Sequence, residues 1–183
     1  MQRVPLAKLL FRIWQKIIHG KEDTMAYKAV VITVSDRCSR GEATDTSGPA
    51  IVEMVTKEGY EVIHTEIVPD EKERIREVLI RCADEMKADL IFTTGGTGFS
   101  KRDVTPDVTK EVVERETPGI PEAMLFESLK VTPRAMLSRM AAGIRGDSLI
   151  VNLPGSEKAA RENLGAVLGT MEHALHMMAG KGH

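Results

Sequence analysis

Short apolar runs alternate with amphipathic stretches along the chain from residue 25 onward. Four of the runs have the length and composition of buried strands, at residues 29–34, 60–68, 89–94 and 148–153. The stretches between them repeat apolar residues at the spacing of helices. This alternation is typical of a mostly parallel sheet with helices on both faces. We therefore predict a three-layer α/β domain over residues 25–183.

Capping residues mark several helix boundaries in the same region. Ser47 precedes a glycine and Pro49, which predicts an N-cap followed by a proline in the first turn of a helix. Gly59 ends this predicted helix, because glycine readily adopts the left-handed conformation of a helix C-terminus. Residues 105–107 predict another helix start, and residues 157–179 predict a long final helix.

Residues 1–24 differ in kind from the rest of the chain. Apolar residues recur there on one helical face: Leu6, Leu9, Leu10, Ile13, Trp14, Ile17 and Ile18. Five basic and two acidic side chains give this segment a net charge of +3, against −2 for the whole chain. The charges argue against a membrane span, and no small-residue cleavage site of a secretory signal follows. We predict an amphipathic basic helix that contacts an anionic membrane surface or a partner protein. The alternative, that Met25 is the true start, stays open.

Length, charge and cysteine content narrow the class of protein. A chain of 183 residues with 42% hydrophobic content is large enough for one well-packed domain. Its net charge of −2 removes the electrostatic basis for general nucleic-acid binding, so we expect no nucleic-acid partner. Cys38 and Cys82 lack the spacing of metal ligands and cannot form a disulfide framework. We therefore expect a cytoplasmic protein.

A glycine-rich loop follows the third predicted strand. Residues 93–98 read Thr-Thr-Gly-Gly-Thr-Gly, and Arg102 and Asp103 come shortly after. Glycines let the backbone adopt positive φ and approach a ligand closely, so that several N–H groups can point at phosphate oxygens. The spacing differs from the Walker A pattern and from the dinucleotide-binding fingerprint. The loop therefore predicts an anion site of another type, with charged side chains beside it.

Each predicted strand ends in a distinctive loop. These loops contain Ser35 and Asp36, then Asp70, then Gly95, Gly96, Thr97 and Gly98, and finally Pro154, Gly155 and Ser156. The carboxyl ends of parallel strands share one edge of a sheet, where ligands bind in open α/β folds. Mg²⁺ prefers one or two carboxylates together with substrate phosphates. We therefore expect Asp36, Asp70 and Asp103 to converge and to carry out metal-assisted phosphoryl or nucleotidyl transfer.

Structural explanations compete with this interpretation. Asp70 stands at a predicted helix start, where a carboxylate can cap the helix and interact with its dipole. Arg102 and Asp103 are consistent with a solvated surface pair of at most about 1 kcal/mol. Ser47 and Ser156 suit N-cap positions in any protein. Only the predicted convergence of the loops favours a functional role for these residues over a structural one.

Five motifs in order resemble the molybdenum cofactor biosynthesis family of MogA and MoaB type. They are Thr93–Gly98, Arg102–Asp107, Leu137-Ser-Arg139, Ala142-Gly143 and Asn152–Ser156. The family includes the molybdopterin adenylyltransferases and a domain of gephyrin, and the resemblance covers residues 26 to about 180. It implies a molybdopterin-binding α/β domain that assembles as a homotrimer. It also implies adenylylation of molybdopterin with ATP and Mg²⁺.

The resemblance assigns roles to individual residues. It implies that Asp70 and Asp103 are catalytic, and we expect both to hold Mg²⁺ across the ATP phosphates. Contacts to nucleotide and pterin are implied for Ser35, Asp36, Ser47, Gly48, Gly95, Gly96, Thr97, Gly98, Pro154, Gly155 and Ser156. Arg102 is expected to offset charge on the leaving pyrophosphate.

Two alternatives to catalysis stay open. The chain ends soon after the last predicted helix, which favours the shorter MoaB-type branch, whose members need not all be efficient catalysts. The first alternative is therefore a non-catalytic pterin-binding or carrier protein. The second is a trimeric scaffold that uses the N-terminal helix. The residues also leave open whether the product goes to molybdate or tungstate insertion.

Overall fold

A computed structural model of the chain describes residues 26–180, which form a six-stranded mixed sheet in the order β2-β1-β3-β6-β5-β4. The strands are β1 (Lys28–Val34), β2 (Glu61–Val68), β3 (Leu90–Thr94), β4 (Arg115–Glu116), β5 (Ala142–Arg145) and β6 (Ser148–Leu153). Neighbours from β2 through β6 pair in parallel, whereas β5 pairs antiparallel with both β6 and β4. The four predicted strands are confirmed, and β4 and β5 were not predicted.

The helices that join these strands agree with most of the capping signals. They are α1 (Asp36–Ser39), α2 (Ser47–Glu58), α3 (Lys72–Ile80), α4 (Thr105–Val112), α5 (Gly119–Leu129) and α6 (Glu157–Met178). A π-helical turn over Arg81–Glu85 extends α3, and a 3₁₀ helix covers Pro133–Leu137. Gly59 ends α2 with φ of 107°, as predicted. Ser156 caps α6 by accepting a hydrogen bond from Ala159 N at 3.4 Å.

The predicted cap at Ser47 is wrong by position. Ser47 is the first residue of α2, and the side chain of Asp45 serves the helix end instead. Asp45 Oδ1 accepts hydrogen bonds from the backbone nitrogens of Ser47 at 3.1 Å and Gly48 at 3.0 Å. A carboxylate two residues before the helix satisfies these N–H groups and interacts favourably with the helix dipole.

Two apolar clusters fill the space between the sheet and the helices on its two faces. On one face, Phe92 of β3 packs in a cluster with residues of α2, α5 and α6. On the other, Ile91 belongs to a cluster that includes residues of α3 and α4. Successive strand residues point to opposite faces, so a strand covered on both sides must be apolar throughout. All five residues of β3 are buried, which confirms the predicted covering of both faces.

The remaining predictions about architecture concern the N-terminal segment and membrane spans. The amphipathic helix predicted over residues 1–24 lies outside the described residues. Across residues 26–180, no helix combines the length and the apolar character that a membrane crossing requires.

Candidate active site

The carboxyl ends of β1, β2, β3 and β6 lie at one edge of the sheet, and glycines allow the loops that follow them to come into contact. Gly95, after β3, donates from its N–H to Leu153 O at 3.1 Å. A Cβ on Gly95 would lie 2.1 Å from Val34 O, and Gly95 has φ of 104°, so only glycine fits. A Cβ on Gly155 would lie 3.1 Å from Gly95 Cα. The predicted convergence of the loops after β1, β3 and β6 is therefore observed.

Asp36 and Asp70 hold the loops after β1 and β2 together. Asp36 N donates to Asp70 Oδ2 at 2.8 Å, and Asp70 N donates to Asp36 Oδ1 at 3.1 Å. The N-cap residue of α3 is Glu71, whose side chain makes no capping bond. The Asp70 carboxylate is therefore directed at the neighbouring loop, and the helix-cap explanation does not account for it.

Arg102 pairs with a carboxylate that is distant in sequence. Its Nε and Nη2 donate to Asp36 Oδ2 at 2.9 Å and to Asp36 Oδ1 at 2.7 Å, a bidentate arrangement. This pairing holds the pKa of Asp36 below its usual value, chiefly through the hydrogen bond from Arg102. Asp103 instead accepts a hydrogen bond from Ser100 N at 2.8 Å. Arg102 and Asp103 are thus not the surface pair that their adjacency suggested.

The carboxylates of Asp70 and Asp103 each approach a glycine of the loop. A Cβ on Gly96, which has φ of 62°, would lie 3.1 Å from Asp70 Oδ1. A Cβ on Gly98 would lie 3.0 Å from Asp103 Oδ2. Burial raises the pKa of Asp70, and the charges of Asp36 and Asp103 raise it further. A group bound on this loop at Gly96 and Gly98 would therefore lie near both carboxylates.

The donor set fits Mg²⁺ bound jointly with a substrate. Within residues 26–180, no three His, Cys, Asp or Glu side chains form a cluster that could hold a metal alone. Mg²⁺ commonly needs only one or two carboxylates, with phosphates and water completing the shell. The buried Thr105 Oγ1 has no hydrogen-bond partner among the described residues, and it faces Gly96 beside Asp70 Oδ1. This unsatisfied oxygen marks a place where a water or a phosphate oxygen would be stabilised.

The other predicted contact residues reach the same edge of the sheet. Ser35 caps α1, with its Oγ accepting from Cys38 N at 3.2 Å. Thr94 Oγ1 donates to Pro154 O at 2.7 Å, which holds the loop after β6 beside β3. Ser47 is buried, and Asp45 ties the start of α2 to β1 by accepting from Thr33 Oγ1 at 2.6 Å.

Sequence reasoning did not identify Asp45. Its signal was a carboxylate two residues before a Ser-Gly-Pro helix start, a local capping pattern that the prediction assigned to the serine alone.

Two depressions open next to each other at this edge. One encloses about 350 Å³ and is lined by Gly98, Gly155 and Ser156 among others. The second encloses about 480 Å³ beside Asp103. Gly98 of the first depression lies beside Asp103 of the second, since a Cβ on Gly98 would be 3.0 Å from Asp103 Oδ2. Both depressions are therefore near the end of the glycine loop.

Known proteins are similar to this chain in sequence and in fold. A family model described as a probable molybdopterin binding domain matches residues 30–173. A molybdopterin adenylyltransferase from Helicobacter pylori strain J99 is 45% identical over 152 residues, which span 82% of this chain and 86% of that protein. Gephyrin from Dictyostelium discoideum is 46% identical over 161 residues, or 82% of this chain, but the match spans only 22% of gephyrin. The crystal structure of the molybdopterin biosynthesis enzyme MoaB from Thermus thermophilus matches with a TM-score of 0.80 and 48% identity, covering 85% of this chain and 98% of that one.

Proposed function

Since the chain belongs to the probable molybdopterin binding domain family, we propose that it is a molybdopterin adenylyltransferase. A phosphate oxygen of molybdopterin attacks the α-phosphorus of ATP and forms a new P–O bond. The bond between the α-phosphorus and the bridging oxygen breaks, and pyrophosphate leaves with that electron pair. The observation that carries the proposal is the glycine loop with the Asp70 carboxylate beside Gly96 and the Asp103 carboxylate beside Gly98.

The reaction brings two anionic groups together, so charge and alignment matter more than a strong base. N–H groups of the glycine loop donate to phosphate oxygens, which its positive-φ residues Gly95 and Gly96 allow by keeping side chains away. Asp70 and Asp103 would hold Mg²⁺, which supplies positive charge next to the phosphates. Arg102 binds Asp36 bidentately, so its positive charge is partly offset before any substrate binds, and its effect on the pKa of Asp70 is the smallest of the causes.

The hydrogen bond from Asp36 N orients the Asp70 carboxylate. Asp36 is paired with Arg102, so its negative charge is largely offset. Among residues 26–180, Asp70 makes no ion pair with a basic side chain, and its charged form is disfavoured by burial and by neighbouring carboxylates. A cation at Asp70 would relieve this repulsion. The proposed metal site therefore lies where the structure concentrates unpaired negative charge.

We also propose that the protein works as a homotrimer and that an apolar surface next to the site contributes to assembly. Large apolar side chains are exposed between α5 and the end of the 3₁₀ helix: Phe126, Leu129, Val131, Met136 and Leu137. Exposed apolar patches of this kind mark association surfaces. Cytoplasmic localisation and a membrane or partner contact through residues 1–24 stay predictions from the sequence.

The proposal is tested by incubating the protein with molybdopterin, ATP and Mg²⁺ and measuring pyrophosphate and adenylylated pterin. Asp103→Asn should abolish both products. Asp84→Asn is the matched control, because it removes a carboxylate that pairs with Arg145 in a separate contact. Pterin binding without product would favour the carrier alternative. The absence of both binding and product would overturn the proposed function.

A further inference from the structure

Arg139 contacts three parts of the candidate site at once. Its Nε donates to Gly98 O at 3.0 Å, and its Nη2 also donates to Asp103 O. Nη1 and Nη2 donate to the two carboxylate oxygens of Asp107, at 2.9 and 3.0 Å, in the first turn of α4. Its backbone N–H donates to Thr97 O at 2.8 Å. One side chain thus joins the glycine loop, the loop that carries Asp103 and α4.

The two carbonyl groups that Arg139 binds lie at the ends of one exposed turn. Residues 99–102 between them are exposed to solvent. Inside the turn, Asp103 N donates to Ser100 O at 3.0 Å, and Ser100 N donates to Asp103 Oδ2 at 2.8 Å. Exposed turns with few buried contacts open at low free-energy cost. The position of the Asp103 carboxylate therefore depends on what holds the ends of the turn.

We propose that Arg139 is a positioning residue, which holds the turn between Gly98 and Asp103 so that the Asp103 carboxylate faces the glycine loop. The inference rests on the proposed function, because it assigns Arg139 a part in adenylyl transfer. Arg139 acts through Asp103.

The geometry of the guanidinium group carries this role. Arginine presents five N–H donors in a planar fork, whereas lysine has one ammonium group that cannot reach the same set of acceptors. The side chains of Arg139 and Asp107 are 37% and 42% exposed, so their ion pair adds little to stability. The main effect of Arg139 is therefore on the geometry of the turn.

Arg145 is a matched control within the same chain. Its Nε and Nη2 donate to Asp84 Oδ1 at 3.0 Å and Asp84 Oδ2 at 2.6 Å, and its Nη1 donates to Val112 O at 2.9 Å. It therefore makes the same kinds of bond as Arg139. Arg145 is far from the glycine loop along β6. It pairs with Ser148 at the start of this strand, whereas the glycine loop lies beside Gly155, which follows the end of the strand.

The experiment compares Arg139→Lys and Arg139→Ala with Arg145→Lys and Arg145→Ala, each in the full chain. We expect kcat to fall about 100-fold in both Arg139 variants, since a misplacement of about 1 Å costs this much. KM for ATP and for molybdopterin should change far less, and thermal midpoints should shift equally at the two positions. Hydrogen exchange of the Ser100 and Asp103 amides should accelerate only in the Arg139 variants.

Three results would overturn the inference: normal kcat in Arg139→Lys, equal losses of kcat at Arg139 and Arg145, or unchanged exchange at Ser100 and Asp103. Failure of the proposed function has a different signature, because the unmodified protein would then make no adenylylated pterin. The exchange measurement needs no turnover. It would still show whether Arg139 holds the turn.

Discussion

A methyl group added at Gly96 tests the geometry of the site directly. In Gly96→Ala the new Cβ would lie 2.3 Å from Thr105 Oγ1 and 3.1 Å from Asp70 Oδ1. Contacts of Cβ atoms below 3.0 Å essentially never occur, so the nearer atoms must separate by about 0.7 Å. Thr105 is fully buried and cannot simply move into solvent. The Thr105 side chain, the glycine loop or both must therefore shift next to Asp70.

The control for this variant is Gly146→Ala. Gly146 has φ of 53°, close to the 62° of Gly96, and no atom of the described part of the chain lies within 4 Å of its added Cβ. Both variants thus suffer the same left-handed strain of about 1–2 kcal/mol. The steric clash is specific to Gly96, and overpacking of this kind costs about 1–3 kcal/mol more. We therefore expect the free energy of unfolding to be about 1–3 kcal/mol lower in Gly96→Ala than in Gly146→Ala.

The assays are urea unfolding and steady-state adenylyl transfer. Gly96→Ala should lose about 100-fold in kcat, by the same sensitivity of catalysis to small displacements. Gly146→Ala should keep normal turnover, because it lies in the turn between β5 and β6. If the two variants matched in both stability and kcat, the glycine loop would not be packed against Asp70 as described.

Three further predictions concern charge and burial. Burial raises the pKa of Asp70, which means that the charged carboxylate is disfavoured in the folded protein. In Asp70→Asn the thermal unfolding midpoint at pH 7 should therefore stay the same or rise, while turnover is lost. A lower midpoint with normal turnover would assign Asp70 a structural role. Asn152→Leu leaves two buried threonine hydroxyls without their amide donor. The free energy of unfolding in urea should therefore fall by about 2–4 kcal/mol. A fall of less than about 1 kcal/mol would contradict this prediction. The hydrogen bond from Arg145 lowers the pKa of Asp84, so the stabilisation of the fold by this ion pair is present above about pH 4 and is lost as pH falls through the lower folded pKa. The unmodified protein should therefore be more stable than Asp84→Asn at neutral pH but not in acid. A difference in stability that persisted in acid would contradict the assignment.

The four parallel strands and their loops could be predicted because the signal is local and repeated. A strand buried on both faces must be apolar throughout, as β3 is, and parallel strands place their carboxyl ends together whatever their order. The capping role of Asp45 was also encoded locally. It was missed because the following serine offered a simpler cap.

The rest of the site depends on contacts that local patterns do not contain. Arg102 binds Asp36 across 66 residues of sequence, although Asp103 is its immediate neighbour. Arg139 reaches Gly98 across 41 residues, and its short motif carried no indication of a partner. β4 consists of two exposed residues, so neither periodicity nor burial distinguishes it from a loop. These features follow from the packing of the sheet.

The short outer strand β4 also limits how copies of this protein can associate. Sheet edges are common templates for strand addition, and proteins protect them with short, charged strands. At this edge the strand offers only Arg115 and Glu116, both exposed. An incoming strand would find few backbone groups to pair with and two charges beside them. Aggregation by sheet extension is thus disfavoured at this edge, whereas the opposite edge is formed by the eight-residue strand β2. The proposed assembly through the apolar surface between Phe126 and Leu137 would leave the β4 edge unused.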